Sequence, residues 1–94
     1  STPALGVVAT LLNQHPDLQL FVVGHTDYIG SLNYNMDLSR RRAQSTVTVT
    51  ALIKRYGIGA DRLNAQGVGP LAPVGSNESE QGRALNRRVE LVKK

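Results

Sequence analysis

Seven residues at positions 18–24, LQLFVVG, constrain the fold of this chain more than any others. The run is apolar, rich in β-branched and aromatic residues, too short for a helix, and bounded by Pro16 and Asp17 on one side and Gly24 on the other. It reads as a strand largely covered on both faces. Such a strand needs helices to cover it, and both flanks offer them. Ahead of it, Leu5, Val8, Ala9 and Leu12 recur at helical spacing after Thr2 and Pro3, a pair suited to an N-cap and first turn. Behind it, a second helix is predicted to begin between residues 31 and 37 and to run to Tyr56, with Gly57 as its natural stop.

The remainder is shorter-range. Positions 62–68 form a predicted strand in which Leu63 and Ala65 alternate with polar neighbours. A Gly/Pro-rich loop follows, then a short polar helix over 78–86 weakened by Gly82, and a half-exposed last strand over 87–92 carrying Val89 and Leu91. The order α-β-α-β-α-β predicts an α/β (α+β) sandwich, a mixed β-sheet packed against two main helices. Ninety-four residues allow one core, so positions 1–94 are expected to be a single domain.

Composition removes several classes of function. With no cysteine there is no disulfide framework, thiolate nucleophile or Cys-based zinc site. No apolar run approaches the ~20 residues of a membrane-spanning helix. The net charge of +4 admits an anionic partner. Nucleic acid is not expected, because Tyr28, Tyr34 and Tyr56 are not interleaved with the basic residues as a stacking platform requires.

The chemistry concentrates at residues 24–43, GHTDYIGSLNYNMDLSRRRA. Asp27 follows the strand, where α/β domains tend to place ligand sites, and Arg40, Arg41 and Arg42 follow on the next helix. If that helix is continuous, Arg42 shares a face with Leu38, Ser45, Val49, Leu52, Ile53 and Tyr56, while Arg40 points away. A guanidinium on a buried face must be paired. Asp27 and Arg42 can therefore close as a salt bridge that fixes the turn, or stay open to grip a ligand bearing both an ammonium and a carboxylate. Asn33 or Asn35 can cap the helix. Alternatively Asp27, Gly30 and Asn35 line a carboxylate receptor at its start.

Catalysis is not expected. His25 and Asp27 alternate on an extended chain and would point to opposite sides, and neither Ser31 nor Ser39 has a base and oxyanion loop around it. His15, His25 and Asp27 lack metal-ligand spacing, so no metal or other cofactor is expected.

The ordered set Gly24-His25-Thr26-Asp27, Gly30, Tyr34-Asn35, Leu38-Ser39, Arg41-Arg42-Ala43, Gly57, Arg62, Gly67, Gly69, Pro73, Asn77, Gly82-Arg83-Ala84 and Asn86-Arg87-Arg88-Val89-Glu90 resembles the OmpA C-terminal (OmpA/Pal/MotB-like) peptidoglycan-binding domain family. The resemblance runs from about Leu5 to the end. It implies non-covalent binding of peptidoglycan through the meso-diaminopimelate of the stem peptide, in a periplasmic domain that anchors a larger envelope protein to the cell wall. A tether outside this chain would hold that protein to the outer membrane, or less readily to the inner one.

Carried over by position, Asp27 takes the ammonium of diaminopimelate and Arg42 its carboxylate. Gly30 and Asn35 line the pocket, Thr26, Ile29 and Leu38 form its walls, and Arg87 reaches in from the last strand. Two departures stand out. The family's strand ahead of the first helix has no match here, which leaves an N-terminal strand missing. Ile29 is apolar where small or polar residues are common. The alternative is an envelope protein–protein interaction domain with a vestigial pocket, acting through Arg83, Arg87 and Arg88.

Overall fold

The computed structural model describes residues 5–94, with the side chains of residues 47 and 48 set aside. Helix α1 (Leu5–Gln14) precedes strand β1 (Leu20–Gly24), and helices α2 (Leu32–Ser45) and α3 (Val47–Tyr56) follow. A 3-10 turn (Ala60–Arg62) leads into β2 (Leu63–Gly67), and α4 (Glu80–Asn86) and β3 (Val89–Lys93) complete the fold. The expected first cap, Thr2 with Pro3, lies outside the described residues.

The sheet is mixed, in the order β2-β1-β3. β1 runs parallel to β2, with Val22 opposite Ala65, and antiparallel to β3, with Val22 opposite Leu91. The parallel neighbour requires a long crossover, which α2 and α3 provide. β1 is the central strand, but it is not covered equally on both sides as its composition suggested. Leu20, Val22 and Gly24 are buried, whereas Phe21 and Val23 on the other face are only half-buried.

The core has two parts. Val8, Ala9 and Leu12 of α1 meet Leu20, Leu52 and Ile58, and a second cluster joins Val22, Ala43 and Val49. Arg62 ties the first part together, because its guanidinium donates to the carbonyls of Leu12, His15 and Leu18 at 2.8–3.2 Å. Those carbonyls lie at the end of α1 and in the turn into β1, where helical partners have run out.

The single helix expected to begin between residues 31 and 37 and run to Tyr56 is two helices. Thr46 adopts φ −61° and ψ 147°, an extended conformation that ends α2 and starts α3. The Ser45 hydroxyl donates back to the Arg41 carbonyl at 2.9 Å, the local competition with backbone bonding that favours helix ends at such residues. The second stop behaves as the sequence indicates. Gly57 takes a left-handed conformation at φ 68°, and its N–H and that of Ile58 bond the Leu52 carbonyl.

α2 rests on the sheet through small and polar residues, Asn35, Ser39 and Ala43. This works because the sheet presents glycines beneath it. A Cβ at Gly24 would overlap the Ser39 carbonyl group, and one at Gly67 would overlap the Arg40 backbone. Ser39 completes the contact by donating to the Met36 carbonyl and accepting from Gly69 N–H, both at 2.9 Å.

Candidate functional site

The carboxyl end of β1 opens into a tightly bonded loop. Thr26 is buried, with its N–H bonded to the Gly69 carbonyl and its hydroxyl donating to the Asp27 carbonyl. Asp27 Oδ1 accepts from the Ile29 N–H at 3.0 Å, an Asx-type turn. Gly30 holds φ +99°, a conformation that favours glycine. Ser31 caps α2 by accepting from the Tyr34 N–H at 3.1 Å, so neither asparagine is the cap. Asn35 is buried instead, and its Nδ2 donates to the Ile29 carbonyl at 2.9 Å, locking the loop onto the helix.

Asp27 does not pair with Arg42. Its Oδ2 accepts from Arg87 Nη1 at 2.8 Å, and the other arm of Arg87 reaches Glu80. Glu80 also accepts from Arg83 Nε at 3.2 Å. Burial would push the Asp27 carboxyl up, but hydrogen bonds from Arg87 and the Ile29 N–H, with the positive charges of Arg87 and Arg83, outweigh it and hold it below the usual carboxylate range. Glu80 and Asp27 in turn hold the Arg87 guanidinium charged. Glu80 was not singled out from the sequence. Its position one turn before Arg83, at i,i+3, was the available signal.

The three consecutive arginines do differ, though not in the way helical phasing implied. Asp37 takes Arg40 at 3.1 Å and Arg41 at 2.8 Å on the exposed surface. Arg42 is exposed rather than core-facing, and no carboxylate among the described residues lies within ion-pair distance of it. The apolar residues that set its inward phase, Val49, Leu52 and Ile53, belong to α3, beyond the break at Thr46. Within α2 the buried stripe is Asn35, Ser39 and Ala43, and Arg42 lies to one side of it. Leu38 is half-buried and Ile29 exposed.

The other basic residues near the site are occupied. Arg83 also donates to the Asn77 carbonyl at 2.9 Å. Arg88, 20% exposed in its side chain, bonds Glu90 and the Ala72 carbonyl. Asn86 is fully buried and ties the loop over 74–77 to the end of α4, immediately before Arg87.

His25 is 6% exposed, and neither ring nitrogen has a hydrogen-bond partner; the nearest carboxylate oxygen, of Glu90, is 3.9 Å from Nε2. The hydroxyls of Ser31 and Ser39 are engaged with backbone groups, so no His-Asp-Ser relay is assembled here. No metal-holding group of His, Cys, Asp and Glu occurs among the described residues. A cleft of about 600 Å³ lies at the opposite end of β1 between His15, Asp17 and Lys94, away from Asp27.

Burial, reinforced by Arg88 and opposed by Glu90, lowers the His25 pKa from 6.5. A base whose folded pKa lies below its unfolded value binds more protons when unfolded, so stability is lost as pH falls from about 6.5 through the folded pKa. Melting temperature is expected to decline between pH 7 and 5, above the range in which the carboxylates titrate. His25→Gln should flatten that slope. An unchanged slope would show that His25 does not cause it.

Comparison with known proteins gives the family of the chain. The OmpA family model matches residues 1–87. Outer membrane porin F of Pseudomonas aeruginosa is 43% identical over 83 residues, covering 88% of this chain and 23% of the porin. The peptidoglycan-binding protein ArfA of Mycobacterium tuberculosis is 39% identical over 88 residues, covering 94% of this chain and 26% of ArfA. The chain thus spans about a quarter of the length of both. Among solved structures, the peptidoglycan-associated lipoprotein from Burkholderia pseudomallei superposes with a TM-score of 0.79 at 31% identity, over 96% of this chain and 74% of that one. In sequence and in fold, this chain belongs to the OmpA family.

Proposed function

We propose that this domain binds peptidoglycan non-covalently through the meso-diaminopimelate of the stem peptide and anchors a larger envelope protein to the cell wall from the periplasm. It is a binding module, not an enzyme. The observation that carries this reading is Arg42, exposed and without an acidic partner among the described residues, on the helix that leaves the Asp27 loop. Arg40, Arg41, Arg83, Arg87 and Arg88 are all engaged with carboxylates.

The far end of diaminopimelate is an amino-acid zwitterion. Asp27 is ionised and can accept the ammonium on lone pairs left by Arg87 and the Ile29 N–H. Arg42 can take the carboxylate through two parallel N–H donors. Gly30 leaves room beside the loop, and Asn35 keeps the loop in place. Ile29 and Leu38 line the approach, while Thr26, buried and bonded within the loop, braces it from inside rather than forming a wall, and Arg87 sets the position of Asp27. Two of the names among its relatives support the reading, the peptidoglycan-binding protein ArfA and the peptidoglycan-associated lipoprotein. An interaction domain acting through free basic residues gains no such support, because Arg83, Arg87 and Arg88 are already bonded within the domain.

Pull-down with purified sacculi tests the reading. Removing charged partners from a bound ion pair costs about 2 kcal/mol or more, roughly thirtyfold in affinity. Asp27→Ala with Arg42→Ala is therefore expected to abolish retention. Sacculi with lysine in place of diaminopimelate should bind more weakly, since lysine lacks the carboxylate for Arg42. Equal retention of wild type and double variant would overturn the proposal.

A further inference from the structure

Helix α1 has two apolar faces, and the core uses one of them. Val8, Ala9 and Leu12 pack inward. Val7 and Leu11, one helical turn apart, are instead 67% and 44% exposed. They line a single groove together with Thr10, and Leu11 and Gln14 continue that groove into the cleft at the start of β1. Single exposed apolar residues are ordinary, but these two share one continuous surface that ends in charge. Asp17, Lys93 and Lys94 line the same cleft.

Those charges are open to a partner. No salt bridge among the described residues involves Asp17, Lys93 or Lys94. Lys94 Nζ donates to Gln19 Oε1 at 3.0 Å and stands 5.2 Å from the centre of the Phe21 ring, which holds it at the cleft. Helix α1 itself, Leu5–Gln14, carries no charged residue. Apolar side chains beside cations, on a helix without an acid, fit the boundary of a phospholipid layer, where acyl chains lie beneath phosphates. Asp17 fits the ammonium of an ethanolamine headgroup and would repel an acidic protein segment. A partner helix would find only two apolar residues to grip.

We propose that this end of the domain docks on a phospholipid surface, with Val7 and Leu11 in the acyl boundary, Lys93 and Lys94 on phosphates and Asp17 on an ethanolamine ammonium. The surface is independent of the stem-peptide reading, because it lies at the opposite end of β1 from Asp27. The four residue steps of that strand put roughly 13 Å between its ends, so a lipid contact leaves the Asp27 loop open. Two apolar side chains and two lysines bind weakly by themselves. A tether that keeps the domain near the surface raises its effective concentration there.

Co-sedimentation of the 94-residue chain with vesicles tests the docking. Wild type is expected to bind vesicles of phosphatidylethanolamine with phosphatidylglycerol, and to bind phosphatidylcholine vesicles about tenfold more weakly. Each lysine near an anionic surface contributes roughly fivefold, so Lys93→Gln with Lys94→Gln should weaken binding about twenty-five-fold. Val7→Ser with Leu11→Ser should weaken it about tenfold. Arg40→Gln with Arg41→Gln makes the same change in net charge at the carboxyl end of the sheet, where α2 crosses Gly67. Those charges lie beyond a Debye length from the lipid, so that variant should stay within about twofold of wild type. Equal loss in the two charge variants would overturn the docking in favour of general attraction by net charge. Full binding by a folded serine variant would overturn it too, because nothing then inserts. So would failure of wild type to sediment, which would leave this surface to a protein partner. Sacculus retention tests the stem-peptide reading separately, and none of these outcomes alters it.

Discussion

Asn86→Ala is expected to lower stability by roughly 3 kcal/mol, a large loss for a side chain that carries no charge and touches no proposed ligand. The amide is fully buried and uses both ends. Its Oδ1 accepts from the N–H groups of Val74 at 2.7 Å and Gly75 at 2.9 Å, and its Nδ2 donates to the Gly75 carbonyl at 2.9 Å and to Asn77 Oδ1 at 2.8 Å. Truncation leaves at least three loop groups without partners, each costing about 1–3 kcal/mol unless water replaces the amide. For a domain of this size, 3 kcal/mol corresponds to a fall of roughly 15 °C in melting temperature.

The consequences reach the site, because Asn86 immediately precedes Arg87, which holds Asp27. Sacculus binding by Asn86→Ala should weaken even below its melting point. Asn86→Asp discriminates further, since it keeps the acceptor, loses both donors and buries a charge; it should be at least as damaging. A urea-melt difference under 1 kcal/mol for Asn86→Ala would mean that the loop over 74–77 is held by something else.

Gly24→Ala is expected to be nearly as costly, about 2–3 kcal/mol, for a different reason. Its Cβ would overlap the carbonyl of Ser39, and the obstacle is backbone rather than a side chain that can rotate away. Accommodation therefore means lifting α2 from the sheet. That motion would separate Arg42 from Asp27, one carried by α2 and the other by the loop after β1, so binding should fall with stability. Gly6→Ala in α1 is the control. Nothing lies within 4 Å of its Cβ position, and alanine in a helix should add about 0.5 kcal/mol. Equal melting temperatures for the two variants would refute the close approach of α2 to β1.

Much of the fold was legible because it depends on local periodicity. The stripe of Val8, Ala9 and Leu12, the β-branched run ending at Gly24 and the stop at Gly57 each express a preference decided within a few residues. The misreadings share one cause. The face of α2 was sought as an apolar stripe, yet that helix seats Asn35, Ser39 and Ala43 on glycines, where closeness of backbones matters more than side-chain hydrophobicity. Read as one continuous helix, the apolar residues of α3 extend that stripe and turn Arg42 inward. A break such as Thr46, with no proline or glycine, leaves little local signal. Arg87 beside the site was anticipated from the family resemblance, whereas its pairing with Asp27 and Glu80 was not.

By itself the sequence determined that this is a mixed-sheet α/β domain of the OmpA family, with an acid after the central strand and arginines on the next helix. Spacing along the chain is enough for that, since strands, helices and turns follow from near neighbours. Only the tertiary structure decided which charges meet. Asp27 and Arg87 are 60 residues apart and come within 2.8 Å because β3 lies antiparallel beside β1. That pairing, together with the capture of Arg40 and Arg41 by Asp37, leaves Arg42 without a carboxylate among the described residues. Partner choice among like charges depends on distances of a few ångströms across the fold, and no pattern in the chain encodes them.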